Sequence, residues 1–162
     1  MSAAVANLAL AHIACSEVEV EASVRRIRRC RLVQASHNSL MTRRPLEEDR
    51  EERIRNEIVV DAYGPEEQAM GWYAYLEGTL EFPFRVCCRV ERAISPLRVD
   101  DELEVVGMGP EEECAHEMFV LTPWEPRPLA VPLMQLKVFQ AEDATREAVE
   151  DWQYWFERGY EL

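Results

Sequence analysis

Acidic side chains gather at the predicted turns and helix ends of this chain, where a metal ion can reach several oxygen atoms at once. Calcium takes six to eight oxygen ligands at about 2.3–2.6 Å from carboxylates, backbone carbonyls and water. Glu77 falls at a predicted helix C-terminus, where the last carbonyl groups have no partner within the helix. The four acidic groups are Asp61, Glu77, Asp100–Glu102 and Glu111–Glu113. Their chemistry is compatible with reversible binding of a hard divalent cation.

Charge is distributed unevenly along the chain. Its 162 residues include 31 Asp and Glu against 18 Lys and Arg, and residues 46–162 hold 28 of those acids and 11 of those bases. A domain with a net charge of −17 attracts cations and repels polyanions, so we expect no nucleic-acid partner. The alternative is ordinary solvated surface charge, because Asp and Glu are mostly exposed. The EF-hand pattern is absent from the sequence, so composition leaves both interpretations open.

The sequence carries no common catalytic motif. It has no glycine-rich phosphate loop, no G-x-S-x-G and no H-E-x-x-H. Cys114 and His116 lie two residues apart, and a cysteine nucleophile needs a nearby base. We interpret this pair as structural and expect a protein that is not an enzyme. Selective alkylation of Cys114 near neutral pH would favour the enzyme alternative.

The five cysteines indicate a reducing compartment. Their number is odd, two are adjacent, and none forms a C-x-x-C pair, which is untypical of disulfide frameworks and zinc sites. No apolar run approaches the ~18 residues of a membrane helix, and the N-terminus lacks the basic start of a secretory signal. We therefore expect a cytoplasmic monomer with no membrane partner.

Residues 1–45 differ in composition from the rest of the chain. They contain seven arginines, three glutamates and no aromatic residue. We interpret 1–45 as a basic, weakly ordered extension and 46–162 as a single domain. One hypothesis is that translation begins at Met41, and the other is that the extension is genuine. The intact mass of the native protein distinguishes the two.

Apolar spacing predicts three helices. A first helix is expected over Leu46–Ala62 and a second over Pro65–Glu77, separated by Gly64, with Gly78 ending the second. A C-terminal helix is expected to be capped by Asp143 and to end at Gly159.

Five short strands with frequent turn signals are predicted between the second and third helices. They are Phe84–Val90, Asp101–Val106, Glu117–Leu121, Pro128–Leu133 and Leu136–Phe139. The predicted fold is α+β, with two N-terminal helices, a small five-stranded Src-homology-3-like barrel and a C-terminal helix packed on it.

Eight runs of sequence, in order, together resemble one known family. They are Arg50–Tyr63, Gln68–Leu76, Phe82–Phe84, Ala93–Leu97, Val105–Met108, Glu112–Val120, Leu129–Leu133 and Asp151–Tyr160. In this order they resemble the cyanobacterial calcium-binding protein CcbP family over about residues 47–162.

This resemblance implies a small acidic cytoplasmic protein that binds calcium without EF-hands, as a buffer or a sensor in calcium signalling. Acids within or beside the matching runs are then the candidate calcium ligands. They are Asp61, Glu77, Asp101, Glu102, Glu112 and Glu113. Gly78 departs from the second acid expected at that position, which would weaken a site centred on Glu77.

A protein–protein interaction module is the competing hypothesis. Small barrels often bind peptides, and an exposed aromatic residue such as Trp124 suits such a surface. The expected partners are therefore calcium ions and, in the alternative, another protein.

Overall fold

The computed structural model describes residues 45–160 and residue 162, so the predicted basic extension lies outside the described residues except for Pro45. Three α-helices pack with six short strands. The helices are α1 (Glu48–Arg53), α2 (Pro65–Thr79) and α3 (Asp143–Glu157). The prediction of two N-terminal helices and one C-terminal helix is thus confirmed.

The first helix ends earlier than its apolar pattern predicts. It continues as a π-helical segment, Ile54–Ile58, closed by a hydrogen bond from the Val59 N–H to the Ile54 carbonyl at 3.0 Å. Gly71 of α2 lies against this segment, and a Cβ at that glycine would stand 2.5 Å from the Ile58 carbonyl oxygen. The π-helical segment and α2 therefore approach each other too closely for a side chain at Gly71.

The other two helices begin and end close to their predicted residues. Helix α2 runs two residues past its predicted end, so Gly78 lies inside it. Helix α3 begins at Asp143, but the N-cap residue is Glu142, without a side-chain capping bond. The Asp143 carboxylate instead accepts a hydrogen bond from Arg146 at 2.8 Å. Gly159, at φ 80°, follows α3 in the left-handed conformation expected of it.

Aromatic packing between α2 and α3 forms the centre of the core. Trp72 meets Trp152 edge to face at 5.2 Å between ring centroids, and Trp155 lies 5.8 Å from Trp72. Both Trp72 and Trp152 are fully buried. Edge-to-face geometry places the positive edge of one ring on the negative face of the next, which adds to the gain from burial.

Buried ion pairs hold α1 against α3. Arg53 donates hydrogen bonds to both carboxylate oxygens of Asp151, at 2.7 and 3.1 Å, and Arg50 lies 3.1 Å from the same carboxylate. Asp151 is completely buried. Burial raises the pKa of this carboxyl, while the two guanidinium groups oppose the rise. One carboxylate therefore joins two arginines of the short first helix to α3.

The six strands form two antiparallel sheets of three. They are β1 (Phe84–Cys88), β2 (Glu102–Val105), β3 (Gly107–Met108), β4 (Phe119–Thr122), β5 (Leu129–Pro132) and β6 (Leu136–Gln140). The first sheet has the order β2-β1-β6 and the second β3-β4-β5. The predicted strands therefore exist, and a short sixth strand, β3, follows Val106 where no strand was predicted.

The predicted five-stranded barrel is wrong, because no closed barrel is found among the described residues. Val106 separates β2 from β3 and donates its N–H to the Leu121 carbonyl at 2.8 Å, so the chain passes there from the first sheet to the second. Pro132 ends β5, and Pro128 precedes it. Proline has no N–H to donate, which limits pairing along the edge of β5 that faces away from β4. Of the helices described, none is both long and apolar enough to cross a membrane.

Candidate metal centre

A turn that carries glutamates packs beside the C-terminal half of α2. Glu77 lies in the last turn of this helix, and Tyr73 precedes it by four residues, so the two share one helix face. After β3, the chain forms a 3-10 turn over Glu111–Cys114. The Tyr73 hydroxyl donates a hydrogen bond to the Gly109 carbonyl at 3.1 Å, which ties this turn to α2.

The pKa of the Tyr73 phenol is affected by the acidic groups around it. Burial raises its pKa, and the neighbouring Glu77 and Cys114 raise it further, followed by Glu111 and Glu112. A negative potential disfavours the phenolate because the phenolate is itself an anion. The three glutamates are exposed. We name Glu77, Glu111 and Glu112 the acidic face.

The acidic face is an open arrangement. Among the residues with described positions, no three His, Cys, Asp or Glu side chains are grouped closely enough to enclose a metal ion. Exposed carboxylates on a helix end and a turn fit a large cation with flexible coordination, such as calcium, better than an ion that needs rigid geometry. Water and backbone carbonyls would complete such a shell.

Glu113 was predicted as a ligand together with Glu112, and it lies beside the buried thiol of Cys114. Burial raises the pKa of the Cys114 thiol, and Glu113 and Glu111 raise it further. Cys114 is only 1% exposed and accepts a hydrogen bond from the Phe119 N–H at 3.5 Å. A buried thiol of raised pKa is a poor nucleophile, which speaks against the Cys114–His116 catalytic pair.

Asp61 lies at the opposite end of α2 from the acidic face. It occupies a left-handed turn, with φ 57°, four residues before Pro65 begins the helix. The helix rises about 18 Å between Pro65 and Glu77 at 1.5 Å per residue. Asp61 and Glu77 therefore do not share one ion.

Asp101 and Glu102 already have partners in the protein. An Asp101 carboxylate oxygen accepts the Arg98 N–H at 2.7 Å, and Glu102 pairs with Arg85 of β1 at 2.9 Å. Arg85 offsets part of the negative charge that Glu102 could offer a cation. Asp100, at φ 70°, shapes the turn that precedes them. The predicted ligands thus lie on separate elements, and among them Glu77 and Glu112 both raise the pKa of Tyr73.

Sequence reasoning overlooked Tyr73 and left Glu111 out of the final ligand set. The spacing of four residues between Tyr73 and Glu77 is a signal visible in the sequence. The bond from Tyr73 to Gly109 spans 36 residues, and local patterns carry no signal for it.

Comparison with known proteins adds independent findings. A family model described as calcium binding, Calci_bind_CcbP, matches residues 52–156. The crystal structure of Anabaena CcbP is similar, with 39% identity, a TM-score of 0.65, and coverage of 73% of this chain and 97% of that one. A calcium-binding protein in its calcium-binding form is 38% identical, with a TM-score of 0.63 and coverage of 72% and 95%. No curated protein matches the sequence.

Proposed function

Since this chain belongs to the CcbP family of calcium-binding proteins, we propose that it binds calcium reversibly, without an EF-hand, at the acidic face. The observation that carries the proposal is the hydrogen bond from the Tyr73 hydroxyl to the Gly109 carbonyl at 3.1 Å, which ties the turn bearing Glu111 and Glu112 to the helix bearing Glu77. The negative charge of these glutamates adds to the effect of burial in raising the pKa of Tyr73, in agreement with this placement.

The chemistry of these groups suits calcium. Carboxylate oxygens are hard ligands, and calcium accepts them singly or in pairs together with water and backbone carbonyls. The end of α2 adds its terminal carbonyl groups, which carry the partial negative charge of the helix dipole. Without the ion, the three carboxylates repel one another. Calcium relieves this repulsion and joins α2 to the 3-10 turn.

Such a site supports buffering or sensing without catalysis. Exposed ligands admit and release the ion without opening a closed cage. The large negative charge of the domain raises the local concentration of cations. We propose that the protein acts in this way as a monomer in the cytoplasm, as a calcium buffer or sensor.

Isothermal titration with calcium tests the site. Glu77→Gln combined with Glu112→Gln should weaken binding about tenfold or more, because calcium affinity follows the number of charged ligands. Glu66→Gln is the matched control, since Glu66 is an exposed acid in the first turn of the same helix. It should change the affinity less than about twofold, as expected for screened charges at a distance. Equal losses in the two variants would show diffuse charge rather than a site.

A peptide-binding surface is a second candidate function, favoured by the exposure of large apolar side chains. Trp124, after β4, is 38% exposed, and Tyr63 is 90% exposed. A sensor would bind its partner only with calcium present. A partner that is captured equally well in chelator would instead favour a constitutive interaction module.

A further inference from the structure

The 3-10 turn over Glu111–Cys114 is held by the second sheet as well as by α2. Gly109 donates its N–H to the Phe119 carbonyl at 2.8 Å, and a Cβ at Gly109 would stand 2.9 Å from the Phe119 Cβ. At the other end of the turn, the Phe119 N–H donates to the Cys114 sulfur at 3.5 Å. Both ends of the turn are therefore held by one residue of β4.

The tie to α2 is made by Tyr73. Its side chain is half-buried, and its hydroxyl reaches the Gly109 carbonyl at 3.1 Å. Gly109 directly precedes Pro110 and the turn that carries Glu111 and Glu112. Because Tyr73 and Glu77 share one face of α2, this hydrogen bond ties the turn to the helix face that carries Glu77.

We propose that Tyr73 is a positioning residue for calcium, whose hydrogen bond to Gly109 holds Glu111 and Glu112 opposite Glu77. This role rests on the calcium site proposed above. It assigns Tyr73 no contact with the ion. The hydroxyl acts through the turn, by arranging two carboxylates before the ion arrives, so that less ordering remains to be done on binding.

The test begins with Tyr73→Phe, which keeps the ring and removes the donor. The dissociation constant for calcium should rise about fivefold, which is the range expected for one lost hydrogen bond. Tyr75→Phe is the matched control, because Tyr75 lies on the same helix but donates its hydroxyl to Asp151, at 3.5 Å. That variant should leave the calcium affinity unchanged. In chelator, the two variants should melt within a few degrees of each other.

A double-mutant cycle separates positioning from a general loss of stability. In a Glu111→Gln, Glu112→Gln background, Tyr73→Phe should cause no further loss of calcium affinity, because the carboxylates it positions are gone. An equal loss in both backgrounds would overturn the positioning role. An unchanged affinity in Tyr73→Phe alone, with weakened binding in the glutamine variant, would also overturn it while leaving the site intact. Unchanged affinity in the glutamine variant would instead contradict the proposed site.

Discussion

At the scale of single residues, the acids of this chain differ in what already contacts their oxygen atoms. Glu51 accepts hydrogen bonds from Tyr154 at 2.9 Å and Tyr160 at 3.1 Å, and Glu102 is paired with Arg85. Glu77 and Glu112 are exposed. Carboxylates that already have donors stabilise the fold, whereas exposed carboxylates are accessible to an ion.

Calcium should lower the pKa of Tyr73. Burial and the nearby carboxylates raise that pKa in the free protein, and a bound dication cancels the negative potential, so the phenolate forms at lower pH. Ultraviolet absorbance of tyrosinate, titrated with and without calcium, measures the shift. The difference should vanish in Tyr73→Phe. Identical titration curves for the native protein in both conditions would contradict a cation at the acidic face.

Part of the proposed site coincides with residues predicted from the sequence. Glu77 and Glu112 were predicted because helix ends and turns expose carboxylates and backbone carbonyls together. Asp61, Asp101 and Glu102 share those local features, but local pattern does not reveal their distance from Glu77 or their existing donors. Such long-range contacts depend on how the elements pack.

At the scale of elements, the short first helix depends on α3 for its place. Helix α1 has six residues, too few to be stable alone. Asp151 of α3 meets Arg50 and Arg53 of α1, and the Tyr154 hydroxyl accepts the Glu47 N–H at 3.1 Å. Contacts with side chains of α3 thus stabilise α1, whose own backbone hydrogen bonds are too few to do so.

Asp151→Ala should lower the free energy of unfolding by about 3 kcal/mol, because it leaves two partly buried arginines without their shared carboxylate. Urea denaturation followed by tryptophan fluorescence measures the change. Glu150→Ala is the control, since this half-exposed acid lies 3.7 Å from Arg50, and its loss should cost less than about 1 kcal/mol. Similar losses in the two variants would show that burial does not distinguish the two carboxylates.

The elements themselves were predicted better than their ends and their assembly. Apolar period predicted the three helices and most strands, because burial of one face imposes that period. The π-helical segment was missed, since it accompanies the contact between Ile58 and Gly71 rather than any local signal. Barrel closure was wrongly expected because strand patterns do not specify which edges pair.

At the scale of the whole molecule, we expect both net charge and calcium binding to affect the stability of the fold. The chain has a net charge of −13, and like charges destabilise a compact state through repulsion. Both the acidic character and the resemblance to a calcium-binding family could be predicted from the sequence, since net charge and ordered sequence motifs do not depend on the three-dimensional structure.

Calcium should raise the melting temperature. At a concentration 100 times the dissociation constant, ligand linkage adds about 2.7 kcal/mol, or roughly 10 °C for a domain of this size. Scanning calorimetry with calcium and with chelator measures the difference. Added potassium chloride should reduce it, because salt screens the carboxylates. An unchanged melting temperature at millimolar calcium would contradict preferential binding to the native state.

The prolines at the two ends of β5 affect whether copies of the molecule associate after calcium binds. Calcium removes part of the mutual repulsion that keeps acidic molecules apart in solution, and a bare sheet edge would then invite a neighbour's strand. Pro132 ends this strand, and Pro128 precedes it. Because these two prolines have no N–H to offer, a strand from another copy finds fewer donors along β5, and the loss of charge on calcium binding favours stacking less at this edge.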